Sequence, residues 1–375
     1  MRKVTPIIFI CVLLICSYPG KLLGINSHYH DERIYTRAEI IKIDKIPIED
    51  TMIETRIHLR IMDGVYKGET KTAIFKGEND LPKGMHYQKG NILFIGISAK
   101  SHDSEVEYIS LYDLDNTAGI IIMSIFLALT ILIIGRLKGF FSLIALIVTV
   151  LLIFYIFIPL TLKGYPSLIV AVIISVISIT ITLPIIAGIR LKTLAAIIGA
   201  SSGIVISTAL ALLFGWIMHL SGIVSNEMLT VFYASDIEID LRSIALSSMI
   251  IAALGAIMDV CISISSSTAE IFNANPEISE KEAFRSVLTI GTDILGSMVN
   301  TLILAYVGSS LSLILLISMR LEPGMPLWMI FNYNPVLSEL VKSAVGSIGM
   351  FLCVPITALI SVRLYKKGEV NKYSP

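Results

Sequence analysis

The sequence predicts a membrane α-helical bundle of about seven transmembrane helices, preceded by a signal-like segment and a small exported all-β domain of OB type. Composition is the first reason. Of 375 residues 55% are hydrophobic and 15% charged, against roughly a quarter charged in an ordinary soluble domain, and the mean hydropathy is +0.81. The distribution of charge is the second. Residues 25–117 carry 12 basic and 16 acidic side chains, whereas the last 258 residues carry only 14 and 13. The third is that the charge-poor part divides into apolar runs of about 20 residues, the length a bilayer span requires. With 29 basic and 29 acidic residues the formal net charge is zero. A purely soluble enzyme, a disordered tail and a strongly basic nucleic-acid binder are excluded.

Residues 1–24 read as a signal peptide or a signal-anchor. Arg2 and Lys3 precede the apolar run Ile7 to Cys16, and small or turn residues follow at Ser17, Pro19, Gly20 and Gly24. Residues 25–115 read as the exported domain, because short alternating runs replace helical periodicity. Met52 to Met62 alternates through Ile53, Ile57, Leu59 and Ile61, with Arg56, His58 and Arg60 between them. Asp63-Gly64, Lys67-Gly68 and Lys89-Gly90 supply turns, and further strands are expected at Arg33 to Ile46, Glu69 to Phe75, Asn91 to Ile97 and Val106 to Tyr112. Five strands in so short a stretch suit an OB-type barrel. The domain is slightly acidic, so nucleic acid is not an expected partner. His28-Tyr29-His30-Asp31-Glu32 has metal-like donors but no second pair to close a site, and no metal is expected.

Residues 116–365 form the transmembrane domain. Runs free of Asp, Glu, Lys and Arg cover 116–135, 139–162, 164–189, 193–226, 294–319 and 343–362, and 243–269 is interrupted only by Asp259. Arg136/Lys138, Arg190/Lys192, the 270–287 loop and the tail 366–375 hold most of the basic residues. By the positive-inside rule these are cytoplasmic, which places residues 25–115 outside and the C-terminus inside the plasma membrane. Cys11, Cys16, Cys261 and Cys353 all lie in apolar runs and show no CxxC spacing, so they read as buried small hydrophobes. Gly199 to Gly203 is a GxxxG, a pattern for close helix contact.

Ionisable groups inside spans are costly and mark functional sites. In the fifth span Asp259, Ser263 and Ser266 lie at i, i+4 and i+7, with Glu270 one turn further. In the sixth, Asp293, Ser297 and Asn300 repeat that spacing. At 1.5 Å per residue, Asp259 is about 13 Å and Asp293 about 9–12 Å from the inner edge. Two carboxylates with hydroxyl and amide oxygens attract cations, or one holds a proton in low dielectric. These six residues are the expected substrate or ion site, with H+ or Na+ as coupling ion and no other cofactor. Glu339 and Lys342 form an i, i+3 pair near the opposite end of the seventh span, either an interfacial salt bridge or a gate.

The stretch Gly255 to Glu270, Asn275-Pro276, and Gly291 to Ser310 resembles the signature of the YibE/F family of bacterial membrane proteins. The resemblance implies the same order of signal-like start, exported β domain and multi-span bundle, and it implies no cofactor. Where the family pattern often reads Gly-Arg-Asp, this chain reads Gly291-Thr292-Asp293, so no cation adjoins Asp293. A permease for a small solute or ion is the expected function. The alternative is a scaffold or accessory subunit whose exported domain binds a protein partner. Intramembrane aspartyl proteases also place one Asp on each of two consecutive helices, but their Tyr-Asp and Gly-x-Gly-Asp patterns are missing here, so no enzyme activity is expected.

Overall fold

The computed structural model describes residues 33–49, 52–77, 87–98, 109–234, 240–319 and 326–370. The signal-like segment, the His28 to Glu32 stretch and the end of the tail lie outside the described residues. The chain forms two compact units, Gly24–Leu129 and the remainder.

The first unit holds one antiparallel sheet of five strands: β1 (Arg33–Glu49), β2 (Met52–Ile61), β3 (Thr70–Gly77), β4 (Ile92–Ser98) and β5 (Ile109–Leu114), in the order β3-β2-β1-β4-β5. The alternating runs fold as their pattern requires: Ile57, Leu59 and Ile61 are buried while Arg56 and Arg60 are exposed. β1 is long because it serves two partners, β4 through Arg33 to Glu39 and β2 through Ala38 to Glu49. The register shifts between Ile40 and Lys42. That bulge restores the inward phase, so Ile43 packs on the core of Ile40, Ile57, Leu59, Leu93, Ile95 and Ile97.

Arg37 ties β1 to the β2–β3 turn, donating to Asp63 at 2.6 Å, and reaches Asp115 at 3.4 Å. The guanidinium holds the Asp63 carboxyl below the usual carboxylate range. Asp115 is held low first by the Thr117 hydroxyl and amide and then by Arg37. Lys42 and then His58 do the same for Asp44. A carboxyl depressed on folding stabilises the fold above its unfolded value, here near 3.8, and that contribution is lost as pH falls through the folded value.

From Thr117 onward the described chain is helical. We number α1 (Thr117–Leu152), followed by a π-helical turn (Ile153–Phe157), α2 (Ile158–Leu162), α3 (Ser167–Ala187), α4 (Leu191–Ile217), α5 (Asn226–Ala234), α6 (Leu241–Ala274), α7 (Glu280–Ser309), α8 (Leu311–Ser318), α9 (Leu327–Phe331) and α10 (Asn334–Val370). Among the described residues six helices are long and apolar enough to cross a membrane, and the first of them, Thr117–Leu162, has 46 residues. Where the sequence predicts two spans, 116–135 and 139–162, the structure has one helical run broken at Arg136, whose φ of 48° and ψ of −131° are not helical. A Cβ at Gly139 would overlap the Ile131 carbonyl oxygen. In a straight helix these residues are about 12 Å apart, so the run folds back on itself.

Two predicted loops are shorter than expected. α6 continues to Ala274 and α7 starts at Glu280, so both helices extend into the loop expected over 270–287. The first turn of α7 is charged but well capped: the Ser279 side chain accepts from the Glu282 amide, and the Glu282 carboxylate accepts from the Ser279 backbone N–H. α10 likewise starts at Asn334, well before the charge-free run at 343. Counting only charge-free residues had removed both helix ends.

The core is built on α4, α6 and α10. Gly199 faces Thr357, Gly203 faces Cys353, and Ser207 faces Gly349, a four-residue step on each of two antiparallel helices. A Cβ at Gly199 would lie 2.9 Å from the Thr357 Cβ, and one at Gly203 would lie 2.9 Å from both the Cys353 Cβ and the Ile257 Cγ2. The backbones meet because these residues are small. Cys261 and Cys353 are buried free thiols with sulfurs 3.5 Å apart, and Thr357 donates to Cys261 at 3.2 Å.

Gly199→Ala overpacks this contact and is expected to destabilise by about 1–3 kcal/mol. Gly119→Ala, which meets open space, is expected to be neutral or slightly stabilising. Thermal unfolding of the full chain in nanodiscs compares the two. For the β unit, the melting temperature should be flat above about pH 5 and fall below it. Asp63→Asn should flatten that fall, read by circular dichroism melts between pH 7 and 3.

Candidate functional site

One end of the bundle is tied by specific contacts. Ser265 donates to the Lys192 carbonyl at 2.5 Å, Lys366 donates to the Ile278 carbonyl at 3.3 Å, and Phe272 stacks on Tyr365 at 5.8 Å between centroids. Lys192, the α6–α7 turn and Lys366 therefore lie at the same end. Further along, Gly291 of α7 enters between α6 and α10, where a Cβ would be 2.7 Å from Val354 and 2.8 Å from Ile264.

That contact sets the level of the two carboxylates. Asp259 precedes Ile264 by five residues and Asp293 follows Gly291 by two, on antiparallel helices. Both are displaced toward the same end, by about 7.5 and 3 Å. They differ in level by about one helical turn.

Their facing is another matter. The buried side of α7 is Ala283, Val287, Gly291 and Leu295. Asp293, Ser297 and Asn300 are all exposed, on the other side. On α6 the packed side includes Ile250, Ile257, Cys261 and Ile264, while Asp259 is exposed and Ser263 and Ser266 are partly buried. Each carboxylate thus stands on a surface turned away from the α4–α6–α10 core, and no hydrogen bond joins them among the described residues.

The hydroxyls on these faces are committed to their own helices. Ser263 donates to the Asp259 carbonyl at 2.7 Å, Thr292 to Thr289 at 2.7 Å, Ser297 to Ile294 at 3.1 Å, and Thr301 to Ser297 at 3.0 Å. With their protons used internally, they present only acceptor lone pairs outward. Carboxylates and outward-facing oxygens form a surface of one electrostatic sign, which favours a cation or proton. Gly255 and Gly296 meet nothing within 4 Å, so these faces are open as well as polar. No three His, Cys, Asp or Glu side chains cluster among the described residues.

Glu339 and Lys342 pair as their spacing predicts, at 2.6 Å and only 28% and 20% exposed. Sequence reading missed their neighbour Tyr306 on α7, whose ring lies 5.9 Å from the Lys342 Nζ. The Tyr306 hydroxyl and the second Glu339 oxygen are buried without a hydrogen-bond partner among the described residues. A tyrosine in an apolar run carries no pattern that would have singled it out.

A bundle of long apolar helices with ionisable groups held part-way along them defines the multi-pass membrane class. Residues 122–367 match the YibE/F-like protein family, and the chain belongs to that family. The match covers the helical region and stops short of the β sheet. No curated protein and no solved structure matches the chain.

Because the Glu339–Lys342 pair is largely withdrawn from solvent, removing one partner strands the other. Glu339→Gln and Lys342→Met should each lower the unfolding midpoint more than the two combined. A double-mutant cycle on thermal stability reads this coupling.

Proposed function

We propose that this protein is a permease for a small solute or ion, driven by H+ or Na+, with Asp259, Asp293 and Asn300 carrying the polar intramembrane site and Ser263, Ser266 and Ser297 lining it. One observation carries the proposal: two carboxylates stand within about one helical turn of each other on consecutive spans, each on an open, oxygen-rich face. Holding such groups in hydrocarbon costs several kcal/mol. A bundle needing them only for packing would turn them inward onto hydrogen-bond donors.

The proposal includes seven crossings, because a 46-residue run is about 69 Å long, twice a bilayer, and it reverses at Arg136. It also includes the orientation with the β unit outside. Arg190, Lys192 and Lys366 gather at the end with the α6–α7 turn, which supports a cytoplasmic assignment for that end. The strand order β3-β2-β1-β4-β5 is that of an OB barrel opened between β3 and β5, which supports the OB-type reading.

A second reading, the accessory subunit, draws on the β unit itself. Tyr35 and Tyr112 cover Gly96 with ring centroids 5.8 Å apart, and Tyr35, Phe94 and Tyr112 are all exposed on that face. Exposed aromatics of this kind suit a protein partner.

Flux in proteoliposomes under proton and sodium gradients separates the readings. The permease is expected to show gradient-dependent flux that falls at least tenfold in Asp259→Asn and Asp293→Asn. Absence of flux in well-folded wild type would favour the accessory subunit.

A further inference from the structure

The outward side of α7 has an order that a solute site alone does not require. Thr289, Asp293, Gly296, Asn300, Ile303 and Val307 follow one another at steps of four, three, four, three and four, and all six are exposed in the single chain. At 3.6 residues per turn their mean direction is opposite the buried line of Ala283, Val287, Gly291 and Leu295. A repeat of 3.5 residues is the seam of a left-handed helix pair.

The seam has mixed chemistry. Thr289, Asp293 and Asn300 are costly against lipid, while Ile303 and Val307, 40% and 43% exposed, gain nothing from water. Neither a lipid surface nor a water-filled groove suits the whole line. A parallel helix with the same residues at the same level suits all of it. Ile303 and Val307 meet their counterparts, Gly296 lets the backbones approach, and Asn300, which carries both donor and acceptor on one amide, pairs with itself. A second copy of this chain supplies such a helix under a two-fold axis along the membrane normal.

We propose that the chain is a homodimer whose two α7 helices meet along this seam. The axis brings the two Asp293 carboxylates together. In low dielectric two facing carboxylates do not both stay ionised and bare, so they share a proton or a cation. This last step rests on the permease reading; the seam itself does not.

Disulfide crosslinking in native membranes tests the seam. Single cysteines are placed in the full chain with Cys11 and Cys16 replaced by serine and the buried Cys261 and Cys353 kept. Oxidation with copper phenanthroline should give dimers from Gly296→Cys, Ile303→Cys and Val307→Cys, and none from Ile294→Cys on the flank. Co-purification of two differently tagged copies should weaken about three- to thirtyfold in Asn300→Leu and persist in Asp293→Asn, whose amide mimics the shared-proton form. Absence of dimers at all three seam positions would overturn the proposal. So would ready labelling of the Gly296→Cys chain, as a monomer, by a membrane-impermeant thiol reagent. Crosslinking is scored without any flux, so the dimer and the permease can fail separately.

Discussion

The close contact of α4 with α10 is the constraint on which the helical unit depends. Hydrophobicity cannot hold helices together in hydrocarbon, because lipid is as apolar as leucine; packing and internal hydrogen bonds must do it. Gly199, Gly203 and Ser207 on one helix and Thr357, Cys353 and Gly349 on the other remove the side-chain bulk that would keep the backbones apart. α6 then fits against both through Ile257 and Cys261, and α7 is drawn in at Gly291 against Ile264 and Val354. The same chain of contacts fixes the level of Asp259 and Asp293.

With α4, α6 and α10 committed to that core, the remaining sides of α6 and α7 are where carboxylates can stand on those helices. The structure uses them for that purpose. Asp259, Asp293, Ser297 and Asn300 are turned away from the packed sides, and neighbouring hydroxyls give their protons to their own helices. Such faces do not sit well in lipid. A solute path and a second copy of the chain are two ways to cover them.

Much of this was legible in the sequence. Alternation gave all five strands, because a half-buried sheet imposes a period of two on its residues. Charge-free runs gave the long apolar helices, because hydrocarbon excludes charge, though two of the seven runs fall in one helical stretch, Thr117–Leu162. The helix ends were not legible by that rule: Glu280 and Glu282 start α7 outside the apolar run, where a capping box and solvent tolerate them. The fold-back at Arg136 was readable as a basic link between two runs. The spacing of Asp259 and Asp293 placed them within about one helical turn of each other along the bundle. It could not give their facing, because a span has apolar residues on every side and the packed side is chosen by small residues such as Gly291, not by hydrophobicity. Tyr306 joins Glu339 and Lys342 only through the approach of α7 to α10, which no local pattern records.

Cation uptake by the purified protein is the most direct measurement of whether the carboxylate faces carry the function. Proton release and radioactive sodium binding would be followed at equilibrium for wild type and for Asp259→Asn combined with Asp293→Asn. Saturable uptake of one of the two cations, lost in the double variant with its melting temperature preserved, is the expected result. Uptake unchanged in the double variant, or none in the wild type, would contradict a cation site on α6 and α7.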